Sequence, residues 1–134
     1  MTDQEKIIKN FSQTWEVPTN INPIIIIGTG GIVKDAHLPA YKKAGFQVDG
    51  AFQNSDCIFD LALPPANLLE VVEKLPDNIF AIFQKPLGRS LEEADKIRKI
   101  CHQKNIKACM NFQLRFSPIS LPVYEAIKQN LLGD

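Results

Sequence analysis

The chain has 134 residues, of which 45% are hydrophobic, with fifteen basic and fifteen acidic side chains and a formal net charge of zero. That balance gives no electrostatic reason to expect nucleic acid or an anionic membrane as a partner, and the length suits one soluble globular domain. The longest apolar run of the first half is the four isoleucines from Ile24 to Ile27, far short of a membrane span. The N-terminal stretch MTDQEKIIKNFSQTWEVPTN mixes charges into its apolar positions, unlike a signal peptide, so the cytoplasm is the expected location.

In chain order, Ile7, Ile8, Phe11 and Trp15 recur at helical spacing and predict an amphipathic helix from about Asp3 to Trp15, ended by Pro18, Asn20 and Pro23. Ile24 to Ile27 is a continuous β-branched run, the pattern of a parallel strand buried on both faces. A helical region is expected through Lys43, interrupted at Pro39, which cannot donate to the preceding turn and restarts the helix at its first position. Gly45 is placed to cap it.

Beyond this point, Cys57 to Leu63 reads as a buried strand, Ala66 to Leu75 as a helix, Ile79 to Phe83 as a strand and Leu91 to Lys104 as a helix. Ser90 and Glu93 form a capping box at the start of that last helix, whose apolar face is expected to hold Leu91, Ala94, Ile97 and Cys101. Lys107 to Phe112 predicts a further strand, and after Pro118 the residues Leu121, Tyr124, Ile127 and Leu131 recur at helical spacing. Strands alternating with helices indicate an α/β fold with a parallel sheet and flanking helices. The three cysteines, Cys57, Cys101 and Cys109, form no Cys-x-x-Cys pair, and their odd number is expected to mean reduced, buried thiols and no metal site.

One junction conflicts with this regularity. The strand-like runs FQVDGAF and CIFDLAL are joined only by QNSD, residues 53–56, whereas a parallel crossover needs about a dozen residues. Returning down a six-residue strand takes about 20 Å and stepping over a neighbour about 10 Å, a link of about 22 Å, while five peptide steps reach about 18 Å. The region from Phe46 to Phe52 is therefore expected to be irregular, with strand ends unravelled or the second strand outside the sheet.

PIIIIGTGGIV carries the first chemical signal. A buried strand that ends in Gly28-Thr29-Gly30-Gly31 at the start of a helix offers a tight turn, bare backbone for the approach of a pyrophosphate, and amides at the positive end of a helix dipole. Val33 stands at the third glycine position of the Gly-x-Gly-x-x-Gly pattern, a position that serves helix-to-strand packing. An ordinary glycine-rich turn is the alternative reading.

Taken together, GTGGI, DAHLPAY, DLALPP, FQKPLGRS and NFQLRFSP occur in the order and contexts seen in the glucose-fructose oxidoreductase / inositol dehydrogenase / MocA family. The resemblance runs from about Pro23 to the C-terminus. It implies an N-terminal Rossmann domain that holds NAD or NADP, a C-terminal α+β domain that supplies most of the substrate site, and hydride transfer to or from a sugar, polyol or related hydroxyl or carbonyl substrate. By this resemblance Gly28, Thr29, Gly30, Gly31 and Ile32 fall on the pyrophosphate loop, and Leu63, Pro64 and Pro65 on the strand end that lies along the cofactor. Gln84, Lys85 and Pro86 fall on the Glu-Lys-Pro signature, whose lysine projects toward the nicotinamide and the reacting carbon. Lys85 is the expected catalytic residue, its ammonium placed to hydrogen-bond the substrate oxygen and stabilise shifting charge; a solvated loop lysine is the alternative. The replacement of glutamate by Gln84 is expected to leave Lys85 without a carboxylate partner and more easily deprotonated.

Asn111, Gln113 and Arg115 fall on alternate positions of the last predicted strand and are expected to share a face, with Asn111 and Arg115 bordering the substrate. Arg115 suits an anionic or hydroxyl-rich ligand or a surface ion pair. His37 and His102 read as structural residues, and Leu68 stands where many family members carry a histidine. The acid expected after the second strand, for the adenosine ribose, is replaced by Gln53, with Asp49 the nearest acid, so NAD and NADP both stay open.

The implied organisation is residues 1–22 as helix and linker, 23–116 as a shortened Rossmann domain lacking a helix-strand-helix after the second strand, and 117–134 as the start of a connection to an absent substrate domain. The chain is expected to be an internally shortened, C-terminally truncated fragment of an oxidoreductase, with a small-molecule substrate and homo-oligomer formation as its associations. A noncatalytic nucleotide-binding module is the alternative.

Overall fold

The computed structural model describes residues 18–19, 21–48 and 57–132. The predicted helix between Asp3 and Trp15 lies outside them. Residues 19–111 include a compact sheet unit, and residues 112–132 belong to a second unit.

The sheet unit holds four parallel strands, β1 (Ile24–Ile27), β2 (Ile58–Leu61), β3 (Phe80–Phe83) and β4 (Lys107–Met110), side by side in chain order. Their register is level: Ile27, Leu61, Phe83 and Met110 are the last residues of adjoining strands. The apolar runs of β1 and β2 are buried or half-buried along their length, as parallel strands are under helix layers, whereas β4 at the edge leaves Lys107, Ala108 and Cys109 exposed. The helical stretch over residues 31–43, here α1, packs on one face. On the other lie α2 (Pro65–Lys74) and α3 (Leu91–Gln103), whose Leu68, Val72, Ile97 and Cys101 join Phe59, Leu61, Ala81 and Phe83 in one hydrophobic cluster. This is the Rossmann-like α/β fold that the alternation predicts, with the last strand two residues shorter than expected.

Within α1 the chain makes a wider, π-helical turn over Val33–His37 before α-helix resumes at Leu38–Lys43. Leu38 N–H donates to Val33 O, five residues back, and Pro39, which has no N–H to give, stands in the first turn of the resumed helix. Gly45 (φ +80°) ends α1 as predicted, with Phe46 N–H returning to Tyr41 O and Gly45 N–H to Lys42 O. Asn105 (φ +52°) closes α3 in the same way, with Ile106 N–H on Cys101 O and Asn105 N–H on His102 O.

The junction is solved by level rather than by length. Val48 forms a single parallel bridge to Ile24, the first residue of β1, and Ile58 pairs with the same Ile24 from the opposite edge. Both flanks of the link thus stand beside the amino end of β1, and no descent along a strand is needed. The sideways step is two strand spacings, about 10 Å, while ten Cα steps from Val48 to Ile58 reach about 33 Å. Of the predicted second strand, Phe46 to Val48 contribute only this bridge, and residues 49–52 lie outside the described residues.

Three local expectations are corrected. Ser90 Oγ accepts from Glu93 N–H at 3.2 Å, but the Glu93 carboxylate turns to Arg89, taking its backbone N–H at 2.5 Å and its guanidinium at 2.9 Å, so the reciprocal half of the capping box is replaced by an ion pair. Leu91 is 90% exposed and does not join the buried Ile97 and Cys101 of α3. Cys57 and Cys101 are buried, whereas Cys109 is exposed on the edge strand β4; all three are free thiols.

In the second unit, a 3-10 turn (Gln113–Phe116) leads to α4 (Ser120–Lys128). Ser120 Oγ donates to Leu114 O at 2.7 Å, and Ser117 Oγ accepts from Ser120 N–H at 3.2 Å, which fixes the turn against the helix start. Of the predicted stripe, Leu121 is buried while Tyr124, Ile127 and Leu131 are exposed.

Candidate functional site

The four residues immediately beyond the level strand ends are Gly28, Ala62, Gln84 and Asn111. Because α1 covers one face and α2 and α3 the other, the chain leaves β1 and β2 toward opposite sides. Ligands in open α/β sheets bind in the crevice at such a switch point.

The glycine loop occupies one side of that crevice. Gly28 is held at φ +137° against the end of β2, where an added Cβ would meet Ala62 O at 2.2 Å, so this first glycine is demanded by the protein itself. At Gly30 a Cβ would meet nothing within 4 Å, and at Gly31 only the Asp35 carboxylate at 3.6 Å. Those two glycines leave bare backbone facing open space at the start of α1, with Gly30 O already engaged by Val33 N–H at 3.1 Å. Thr29 and Ile32 are exposed beside them, while Val33 is buried as its packing position requires. The loop therefore fits a pyrophosphate on geometric grounds.

Leu63, Pro64 and Pro65 follow Ala62, and Pro65 opens α2. Leu68, where the resemblance leads one to expect a histidine, is fully buried core. Gln84, Lys85 and Pro86 turn away from the end of β3, with the Lys85–Pro86 peptide cis and Lys85 exposed.

Beneath the crevice lies a constellation that sequence reasoning missed. Asp60, mid-strand in β2, is wholly buried. Its Oδ2 accepts from Tyr41 OH at 2.8 Å and faces His37 Nδ1 at 2.5 Å; its Oδ1 accepts from Gln84 Nε2 at 2.8 Å. Gln84 Oε1 in turn accepts from Asn111 Nδ2 at 2.9 Å. A carboxylate withdrawn from water is tolerable only when its lone pairs are taken up in this way. Burial, reinforced by the neighbouring Asp60 charge, holds the Tyr41 phenol protonated well above its ordinary range. Tyr41 also packs edge-on to His37 and to Phe46, with ring centroids 6.3 and 5.9 Å apart. The sequence signal was present: a lone acid inside CIFDLAL, an otherwise apolar buried strand.

This arrangement gives Gln84 partners of its own: its amide is the donor to Asp60 and the acceptor from Asn111. His37 is structural, as read from the sequence, and its partner is now identified. Asn111 belongs to the cluster, but β4 ends at Met110, and Gln113 and Arg115 lie on the 3-10 turn of the second unit, so the three do not alternate along one strand face.

A separate cavity of about 310 Å³ opens between α3 and β4, lined by Phe83, Leu87, Ile97, Ile106 and Met110 among others. It includes none of the glycine-loop residues. Among the described residues no group of three or more His, Cys, Asp or Glu is placed to hold a metal ion, and no helix is long and apolar enough to cross a membrane.

No family model matches the sequence, and neither does any curated protein. Solved structures do match. The super-repressor mutant of Gal80p from Saccharomyces cerevisiae aligns with a TM-score of 0.72 at 21% identity, over 86% of this chain and 40% of its own. Apo scyllo-inositol dehydrogenase from Lactobacillus casei aligns with a TM-score of 0.58 at 18% identity, over 86% and 43%. KijD10, a 3-ketoreductase from Actinomadura kijaniata solved with TDP-benzene and NADP, aligns with a TM-score of 0.58 at 14% identity, over 86% and 46%. At such identities the shared property is the fold. The chain spans about two fifths of the length of the solved chains it matches.

Proposed function

We propose that this chain, a Rossmann-like unit of the glucose-fructose oxidoreductase / inositol dehydrogenase / MocA type, is the nicotinamide-dinucleotide-binding part of an NAD(P)-dependent oxidoreductase. The observation that carries the reading is the glycine loop: Gly28 locked against β2 by its own fold, while Gly30 and Gly31 leave open backbone at a helix start. Gly30, Gly31 and Ile32 would hold the pyrophosphate, and Leu63 to Pro65 would lie along the dinucleotide. A bound nicotinamide supplies hydride exchange with a sugar, polyol or related substrate. Lys85, exposed beyond β3, would hold the substrate oxygen by a charge-assisted hydrogen bond and favour the form with more negative charge on that oxygen. NAD and NADP remain equal candidates, and the substrate domain, a homo-oligomer and a cytoplasmic setting belong to the same proposal.

Fluorescence titration of the purified chain with NADH and NADPH tests it. Saturable enhancement with at least one is expected, and none with either overturns nucleotide binding.

The second reading is a noncatalytic nucleotide-binding module, which the same glycine loop would serve without Lys85. The two part on turnover: NAD(P)-linked oxidation of a polyol panel that falls at least about a hundredfold in Lys85→Ala supports the enzyme, whereas binding without turnover supports the module.

A further inference from the structure

We propose that Asp60 is a positioning residue for the nucleotide site, a role that rests on the reading above: one buried carboxylate sets both the helix that opens at the glycine loop and the turn that carries Lys85. Three elements converge on it. From α1 come His37 Nδ1 at 2.5 Å and Tyr41 OH at 2.8 Å, and from the residue after β3 comes Gln84 Nε2 at 2.8 Å. Gln84 passes the constraint on to Asn111, after β4, through a bond of 2.9 Å.

The chemistry of each member is dictated by the others. Tyr41 and Gln84 present donors to Asp60, and the bond from Asp60 favours the His37 form with its proton on Nδ1. Gln84 must donate on one side and accept on the other, which an amide does and a carboxylate does not. His37 lies on the same helix that Gly30 O opens through Val33 N–H, so a displaced imidazole is transmitted to the loop amides along a rigid element. Gln84 and Lys85 are adjacent in the chain, so the orientation of the amide and the course of the lysine turn are set together. No buried polar side-chain atom among the described residues is left without a partner.

The test is a charge relocation in the full chain, read by nitrogen NMR of the His37 imidazole, by amide shifts of Gly30, Gly31 and Lys85, and by NADH and NADPH affinity. Gln84→Glu places a second carboxylate against Asp60. It is expected to move the His37 imidazole signals, although His37 and residue 84 bond to different oxygens of Asp60, to shift the glycine-loop amides, and to weaken nucleotide binding about tenfold. Adding Asp60→Asn, which sets an amide opposite the introduced carboxylate and keeps an oxygen for His37 and Tyr41, is expected to reverse all three effects.

Unmoved His37 and loop signals in Gln84→Glu, or a double variant worse than the single one, overturns the proposal. If Gln84→Glu alone does not fold, the double variant decides: a native spectrum supports the proposal and an unfolded one overturns it. If the natural chain binds neither nucleotide, the functional reading fails, and the spectral coupling still decides whether Asp60 joins the two ends.

Discussion

Phe59 and Leu61 extend to one side of β2 and Asp60 to the other, and the two sides are held by different physics. On the α2 and α3 side, Phe59, Leu61, Ala81 and Phe83 meet Leu68, Val72 and Ile97 in a dry cluster with no direction to its bonding. On the α1 side, a carboxylate with no exposure is met by His37, Tyr41 and Gln84, each at a set distance and angle. Area and volume govern the first, so similar apolar residues exchange there at small cost. Donors and acceptors govern the second, where a change of one atom type leaves a buried group unpaired. The dry face supplies bulk stability, and the polar face lies under the crevice where position matters.

The largest effects test that contrast directly. Asp60→Leu, with the same branched skeleton but bulkier and without an acceptor, is expected to cost about 3–5 kcal/mol, whereas Leu61→Met one residue away costs less than about 1.5 kcal/mol. Urea denaturation of both variants checks it, and equal losses would erase the distinction between the faces.

Next come the two ends of the glycine loop. Gly28→Ala forces a Cβ onto Ala62 O at a left-handed φ and is expected to cost about 2 kcal/mol or more. Gly30→Ala, with open space around it, is expected to stay within about 0.5 kcal/mol in stability while weakening NADH or NADPH. A matched pair of thermal melts and nucleotide titrations separates the folding glycine from the binding one.

A smaller effect is local to α3. Ser90→Ala removes the side-chain acceptor for Glu93 N–H and is expected to cost about 1 kcal/mol by urea denaturation.

The smallest is a slope with pH. Burial and Asp60 raise the Tyr41 phenol above its ordinary value of 10.0, so above that pH the unfolded chain releases a proton that the folded chain keeps. Stability is therefore fully present below about pH 10 and falls as pH rises beyond it. Comparing the natural chain with Tyr41→Phe by urea denaturation at pH 9 and 11 isolates this contribution, and an identical slope in the two would remove Asp60 and burial as its cause.

Much of the dry face was legible in advance. The four-isoleucine run, CIFDLAL, and the strand before Gln84 all read as buried strands, because continuous apolar runs between turn residues leave few other options. The Gly45 end of α1 and the Ser90 cap followed from local turn chemistry. The polar face was barely legible. Its bonds join residues 23, 19 and 24 positions apart, beyond any periodic pattern, so the partners of Gln84 were out of view. The same blindness placed Asn111, Gln113 and Arg115 on one strand, when the backbone turns after Met110.

The order and type of most elements, the glycine loop at a strand end and the family resemblance came from the amino-acid sequence by itself, because they rest on contacts within a few residues of one another. The tertiary structure alone decided that Val48 and Ile58 flank Ile24 at one level, which removes the distance conflict at the junction. It alone decided that Cys109 lies exposed on an edge strand, and that a buried carboxylate ties α1 to the ends of β3 and β4. Pairing level, edge position and burial depend on which distant segments become neighbours, and that neighbourhood exists only once the sheet has closed around Asp60.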